Sequence, residues 1–339
     1  MFTKGEKIKI VVDAMGGDYA PSNIISGGVD ALKESNNRFQ IIFVGKEKSI
    51  FDELKKFPYE NLDYQIINAS EVIEMHDSPT AALKQKKDSS ISVGLNLVKE
   101  KKADAFISAG NTGAVMSAST LILGRIDGVS RPTIGTFFPT EKGKSLLLDA
   151  GANVDSKPQH LLEFALMGSI FTSYILGYQN PTVGLLNIGE ESSKGNETAQ
   201  EAYKLLKESS LNFIGNVEGR DILKGKAQIV VCDGFVGNIL LKFAESILTL
   251  MKFKFKDYAS QSFFKKIWVG LMYGTLKTVL KDIDYQEHGG VPLLGVNGVT
   301  IIGHGGSTPK AIKNMIFRAE EMVQKNINEH IQQKMKSIL

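Results

Sequence analysis

Cysteine is nearly absent: Cys232 is the only one in 339 residues. A single thiol forms no internal disulfide, so a reducing, cytoplasmic setting is expected. Arginine is scarce too. Five of the 40 basic residues are Arg (Arg38, Arg125, Arg131, Arg220, Arg318), and the net charge is only +3. A chain built to grip phosphate backbones through bidentate forks would carry more, so no nucleic-acid partner is expected. No run of about 18 uninterrupted apolar residues occurs, so none reads as a bilayer-spanning helix. The opening MFTKGEKIKIVVDAMGG has a five-residue apolar stretch, too short for a secretory core.

The usual catalytic signatures are also missing. There is no GxGxxG dinucleotide fingerprint and no GxSxG nucleophile elbow. Gly143-Lys144-Ser145 ends like a Walker A loop, but Phe138 stands where its first glycine belongs, and it reads as a turn. The five histidines (His76, His160, His288, His304, His330) show no metal-ligand spacing, and Cys232 reads as a core thiol. No metal and no cofactor are expected.

What is present is globular: 42% hydrophobic and 23% charged residues. Short β-branched runs recur at Ile8–Val12, Gln40–Val44, Tyr64–Ile67, Ala105–Ser108, Thr133–Phe137, Ser145–Leu148, Thr182–Asn187, Asn212–Ile214, Gln228–Cys232 and Val299–Ile302. Helical patterns lie between them at Ser22–Glu34, Ile91–Lys101, Leu161–Leu176, Glu197–Ser209, Phe235–Met251 and Pro309–Lys336. This alternation predicts one large α/β domain over 1–339, a three-layer α/β/α sandwich with a mainly parallel sheet. The last helix, polar at its end, is expected to pack only through its first half. Glycines cluster after the strand candidates, at Gly16–Gly17, Gly110 and Gly113, Gly151, Gly189, Gly234 and Gly237, and Gly303, Gly305 and Gly306. They predict one long cleft at the strands' carboxyl ends, lined by backbone N–H groups; each cluster alone reads equally as a tight turn.

One segment breaks the pattern. Lys252–Lys281 holds seven Lys, one acid (Asp257) and seven aromatics, including the chain's only Trp. It predicts an amphipathic helix pair projecting from the body within 245–285, turning at Tyr258–Ser262. Two readings stand: an interfacial helix with Phe253, Phe255, Phe263, Phe264, Trp268 and Leu271 in lipid and Lys on anionic headgroups, or a dimer-forming hairpin.

Without a nucleophile or metal, the substrate itself is the natural nucleophile, and inorganic phosphate qualifies. It needs N–H donors, a cation and positioning against an activated carbonyl. Three constellations offer these. The first, after Ala105–Ser108, is Ser108, Gly110, Asn111, Thr112 and Gly113 at a helix start. The second is His304-Gly305-Gly306-Ser307, where Ser307 or Thr308 suits an N-cap and Pro309 the first helical position. His304 either donates to phosphate or an oxyanion, or is satisfied by a backbone carbonyl. The third is Asn187–Asn196, with Lys194 as a movable charge and Asn187 as an amide. Asp13 orients a substrate-side partner or caps the helix near Pro21; Asp149 and Asp233 repeat its strand–acid–Gly pattern. Close to phosphate such acids repel unless protonated or paired, so bonds to Lys, Ser or backbone N–H are expected.

Taken in order, Val11–Pro21 (VVDAMGGDYAP), Lys86–Ser90 (KKDSS), Ala103–Ala114 (ADAFISAGNTGA), Leu147–Asn153 (LLDAGAN), Gly184–Glu197 (GLLNIGEESSKGNE), Phe213–Ile222, Cys232–Lys242 and the terminal PLLGVNG and IIGHGGS resemble the PlsX family of phosphate acyltransferases, over nearly the whole chain. The resemblance implies a homodimeric fold like that of isocitrate and isopropylmalate dehydrogenases, without their cofactor chemistry. It implies acyl transfer from acyl-ACP to inorganic phosphate, with acyl phosphate passed to a membrane glycerol-3-phosphate acyltransferase in phospholipid synthesis, and peripheral membrane association. Of the constellations above, His304, Lys194 and Asn111 are read as the catalytic set and Asp13, Asn187 and Asp233 as orienting groups. One departure is Lys84, where Arg is expected ahead of KKDSS. A coenzyme A-dependent, phosphotransacetylase-like transfer is the alternative enzyme; a non-catalytic membrane adaptor is the other class.

Overall fold

The computed structural model describes residues 7–279 and 289–336. His288 and the far end of the 245–285 segment lie outside them. Strands are β1 (Lys9–Asp13), β2 (Gln40–Gly45), β3 (Tyr64–Asn68), β4 (Ala105–Ser108), β5 (Thr133–Thr140), β6 (Gly143–Leu148), β7 (Thr182–Leu186), β8 (Asn212–Val217), β9 (Ile229–Val231), β10 (Val291–Leu294) and β11 (Val299–Ile302). They form one sheet in the order β3-β2-β1-β4-β11-β10-β5-β6-β9-β7-β8. Continuous apolar runs such as Ile10–Val12 and Ile229–Val231 are buried because helices cover both faces.

Helices α1 (Ser22–Glu34), α2 (Glu47–Leu54), α6 (Pro158–Ile175), α7 (Glu197–Glu208), α11 (Pro309–Gln324) and α12 (Ile327–Lys336) supply one core, with Phe39, Phe43, Phe164 and Phe171 fully buried in it. Each such side chain contributes about 1.5–3 kcal/mol of burial. Helices α3 (Pro79–Gln85), α4 (Ser90–Lys99) and α5 (Thr112–Ala118) build the second core around Phe106. A short α8 (Gly219–Ile222) and the first half of α9 (Gly234–Ser260), through Leu240 and Ala244, close a third cluster over β6 and β9. The three-layer expectation holds.

Three sequence expectations are corrected. Val291–Leu294 is a strand that reads poorly because Pro292 sits in its middle, where a ladder N–H is normally needed. It pairs antiparallel with both β11 and β5, and β5 pairs antiparallel with β6. The parallel set β6-β9-β7-β8 therefore runs opposite to β3-β2-β1-β4-β11. The glycine loops accordingly do not all open at one edge, and the single cleft divides in two. Second, the last helical stretch is two helices, broken at Asn326 (φ 49), whose positive φ ends α11. Third, α12 packs along its whole length: Ile327, Ile331 and Met335 are buried, and His330 stacks on Tyr174 of α6 at 4.0 Å.

Helices α9 and α10 (Phe263–Val279) touch side by side and turn at Gln261–Ser262. Helix α9 is long and apolar enough to cross a bilayer by length and composition, with a mean hydropathy of 1.4. Its apolar side chains are mostly outward: Phe235, Ile239, Phe243, Leu250 and Phe253 are exposed, as are Phe263 (73%), Phe264 (76%), Trp268 and Leu271 (73%) at and beyond the turn. Phe255 is half-buried.

Candidate active site

At the carboxyl edge of β1, β4 and β11 three loops meet because those strands are neighbours. Asp13 ends β1 fully buried. Its Oδ2 accepts the Ser108 hydroxyl at 2.6 Å and its Oδ1 the Met15 N–H at 3.0 Å, so it does not cap α1. Burial raises the Asp13 carboxyl; bonds from Ser108, Ser90, Met15 and Gly16 oppose that only in part. Ser108 in turn accepts the Gly110 N–H at 3.0 Å. A Cβ on Gly16 would lie 2.5 Å from Asp13 Oδ2 and 2.7 Å from the Gly110 nitrogen, so only glycine lets the β1 loop close over this pair.

The His304 loop joins through backbone. Gly303 N–H donates to Ser108 O at 2.8 Å, and Asp18 N–H to Gly305 O at 2.8 Å. His304 is exposed, and its Nδ1 accepts the Gly306 N–H at 3.0 Å. The neutral ring therefore carries its proton on Nε2. Ser307 is buried and donates to His304 O at 2.6 Å; Thr308 caps α11 and Pro309 takes its first position. Asp18, an acid the sequence reading passed over, lies against this loop: a Cβ on Gly305 would be 3.0 Å from its Oδ1.

Asn111 proves to be a buried joint. Its Oδ1 caps α5 through Ala114 N–H at 3.0 Å, and its Nδ2 donates to the carbonyls of Glu74, Met75 and Asp77 at 3.0–3.3 Å. Those bonds hold the 74–77 loop over the cradle and occupy the amide donors that were expected to meet an anion. Gly113 is glycine because Pro79 packs there, 2.7 Å from its virtual Cβ. The 74–77 loop is also pinned by Lys86, whose Nζ meets Asp77 Oδ2 at 2.5 Å and holds that carboxyl below its ordinary range. No local sequence signal marked this loop, because its link to Asn111 spans 34–37 residues. Thr112 opens α5, and Lys84 is exposed in the last turn of α3.

The remaining candidates lie elsewhere. Asn187 braces its own loop, donating to Lys194 O at 3.0 Å, and Lys194 is exposed with its stem across Gly189. Five strand intervals separate β7 from β11, roughly 24 Å at about 4.8 Å each. Asp233 caps α9 through Val236 N–H at 2.8 Å. Asp149, fully buried, accepts N–H groups of Ile134, Gly151, Ala152 and Asn153 as well as Asn153 Nδ2 at 2.8 Å, and burial raises its carboxyl too. Cys232 is buried, and burial pushes its thiol up, which keeps it from acting as a nucleophile. A cavity of about 770 Å³ opens at the opposite ends of β4 and β11, between Leu123, Asn297 and Met322, away from the cradle.

The model of the fatty acid synthesis protein family matches residues 8–330. The chain belongs to this family of phosphate acyltransferases, the PlsX family. It is 49% identical over 333 residues to the Phosphate acyltransferase of Chlorobaculum parvum, covering 96% of this chain and 98% of that protein. Against the Phosphate acyltransferase of Halothermothrix orenii it is 50% identical over 322 residues, covering 94% and 96%. Among solved structures, a phosphotransacetylase from Streptococcus pyogenes superposes with a TM-score of 0.63 at 19% identity, covering 95% of each chain. A branched-chain phosphotransacylase from Enterococcus faecalis gives 0.61 at 15% identity, covering 93% and 99%. These structures share the PlsX-family fold, and the chain is an acyltransferase of that family.

Proposed function

We propose that the chain moves a fatty acyl group from acyl-ACP to inorganic phosphate, releasing acyl phosphate and free carrier. The observation that carries this reading is the cradle itself. Glycine-rich loops from three adjacent strands meet at one edge, where His304 is exposed with its Nδ1 taken by the Gly306 N–H, and the Ser108 hydroxyl is buried and spent on Asp13 rather than set up to form an acyl-enzyme. Phosphate held there attacks the thioester carbonyl through one of its oxygens. The carbonyl oxygen gains charge and is met by N–H donors. The carbon–sulfur bond then breaks and the thiolate leaves; its reference pKa of about 8.5 means little acid assistance is needed. Burial holds Asp13 nearer its neutral form, which lessens its repulsion of the dianion.

Within one chain His304 stands at the cradle edge while Lys194 lies on the loop after β7, which supports His304 over Lys194 as the donor to phosphate. Acyl phosphate then passes to a membrane glycerol-3-phosphate acyltransferase for phospholipid synthesis, which calls for a cytoplasmic enzyme at the membrane surface. The exposed Phe263, Phe264, Trp268 and Leu271 beside Lys265 and Lys266 suit contact with an anionic surface. The exposed row Phe235, Ile239, Phe243 and Ile247, at four-residue spacing on α9, suits a second copy in a homodimer.

The deciding assay is phosphate-dependent release of free carrier from acyl-ACP, run beside acyl-coenzyme A. Release without phosphate, or transfer only from the coenzyme, overturns the proposal. Pelleting with anionic against neutral vesicles tests the helix pair: Phe263→Glu with Phe264→Glu should abolish sedimentation, and unchanged sedimentation would remove the membrane role.

A further inference from the structure

An acid stands at the edge of a site suited to an anion. Asp18 is exposed beside the His304 loop, fastened there by its backbone N–H, which donates to Gly305 O at 2.8 Å. The bond belongs to the main chain, so the side chain is not what holds the loop. Among the described residues no hydrogen bond or ion pair takes up either oxygen of the Asp18 carboxyl.

Glycine makes the room for that carboxyl. A Cβ on Gly305 would lie 3.0 Å from Asp18 Oδ1 and 3.1 Å from Oδ2. One on Gly306 would lie 3.4 Å from His304 Nδ1 and 3.9 Å from Asp18 Oδ2. Neither glycine has the positive φ that would call for glycine on its own account. The acid and the imidazole therefore flank the same two residues of backbone. Met75, on the loop that Asn111 holds, brings Cε to 3.0 Å from the Gly305 position, and a thioether side chain offers the carboxyl no donor.

An ionised carboxylate only accepts hydrogen bonds, and it repels a neighbouring anion. The exception is an anion that carries a proton of its own. Such an ion donates its O–H to the carboxylate in a charge-assisted bond while its other oxygens accept from N–H groups. Near neutral pH inorganic phosphate keeps at least one P–O–H; sulfate, of the same shape, has none. A site that bonds a ligand's hydroxyl discriminates strongly against the analogue that lacks it.

We propose that Asp18 is a specificity-determining residue: its carboxylate accepts a hydrogen bond from the P–O–H of inorganic phosphate and turns away fully ionised tetrahedral anions such as sulfate. The inference rests on the acyl-transfer reading, in which phosphate is held at this cradle.

Release of free carrier from acyl-ACP by the full chain, at varied phosphate with sulfate as competitor, tests it. In the parent the inhibition constant of sulfate should exceed the KM for phosphate at least tenfold. Asp18→Asn removes the charge and adds an amide donor at nearly constant size, so that ratio should fall at least tenfold; Asp18→Ala should lower it as well. His304→Ala should weaken both anions together and leave the ratio within threefold. General damage to the loop also weakens both, so a fall in the ratio reports the carboxylate itself. An unchanged ratio in both Asp18 variants, with phosphate-dependent release intact in the parent, overturns the role of Asp18 and leaves the acyl-transfer reading standing. So does a parent that sulfate inhibits at concentrations near the phosphate KM. Release that needs no phosphate overturns the reading itself and this inference with it.

Discussion

Asp13 and Asp149 occupy the same kind of position and do different things. Each is a fully buried acid at a strand's carboxyl end (Asp13 the last residue of β1, Asp149 the residue after β6), each is followed by Ala and then glycine within three residues, and each has its carboxyl raised by burial. Asp13 spends one oxygen on the Ser108 hydroxyl, and the loops around it stay open to solvent at His304 and Asp18. Asp149 spends both oxygens on its own loop and on Ile134, while Gly234 and Gly237 press α9 against it. One strand–acid–glycine pattern thus builds a cradle at one edge and a closed knot at the other. The neighbour decides which: β4 leads to a serine that relays to a loop N–H, whereas β9 leads to a buried cysteine.

Substitutions at matched positions break or sharpen this contrast. The largest effect is expected at Gly237→Ala, where the new Cβ would fall 1.8 Å from Asp149 O, a backbone atom that cannot yield cheaply. A loss of about 3 kcal/mol is expected in urea melts, against about 1 kcal/mol for Gly110→Ala, whose nearest contact is 3.2 Å. Equal losses would erase the distinction between knot and cradle.

Asp149→Asn comes next, at about 2–3 kcal/mol, because an amide cannot accept the N–H groups on both oxygens. Asp13→Asn should cost about 1 kcal/mol, since the Ser108 hydroxyl can rotate to a new acceptor. Both carboxyls are raised from 3.8, so the folded chain keeps their protons to a higher pH than the unfolded chain. That contribution is fully present below the ordinary carboxylate value and is lost as pH rises through the raised one. The parent's stability margin over each variant should therefore widen on acidification from neutrality, and a margin that narrows would contradict burial as the cause.

Smaller, and read in activity, are the effects expected at His304 and Lys194. His304→Ala should raise the phosphate concentration needed for half-maximal rate about tenfold, equivalent to about 1.4 kcal/mol. Lys194→Ala should change it less than threefold and leave stability within about 0.5 kcal/mol, as for an exposed side chain. A tenfold effect at Lys194 would instead show that it serves the cradle of a second copy, since its own lies roughly 24 Å away along the sheet.

Much of this is legible in the amino-acid sequence. Strand runs such as Gln40–Val44 and Val299–Ile302, the Thr308–Pro309 helix start and the α/β/α layering follow from local propensity and periodicity, which the chain carries residue by residue. The motif series likewise identified the family. The direction of each strand was not legible: Pro292 hid β10, and without that reversal the glycine loops look like one cleft. Nor was the work of Asn111 visible, because its partners at Glu74–Asp77 are remote in sequence. Composition and spacing determined which segments became strands, helices and polar loops. Only the tertiary structure decided which loops face one another, because pairing direction and long-range hydrogen bonds depend on contacts between residues that no local pattern relates.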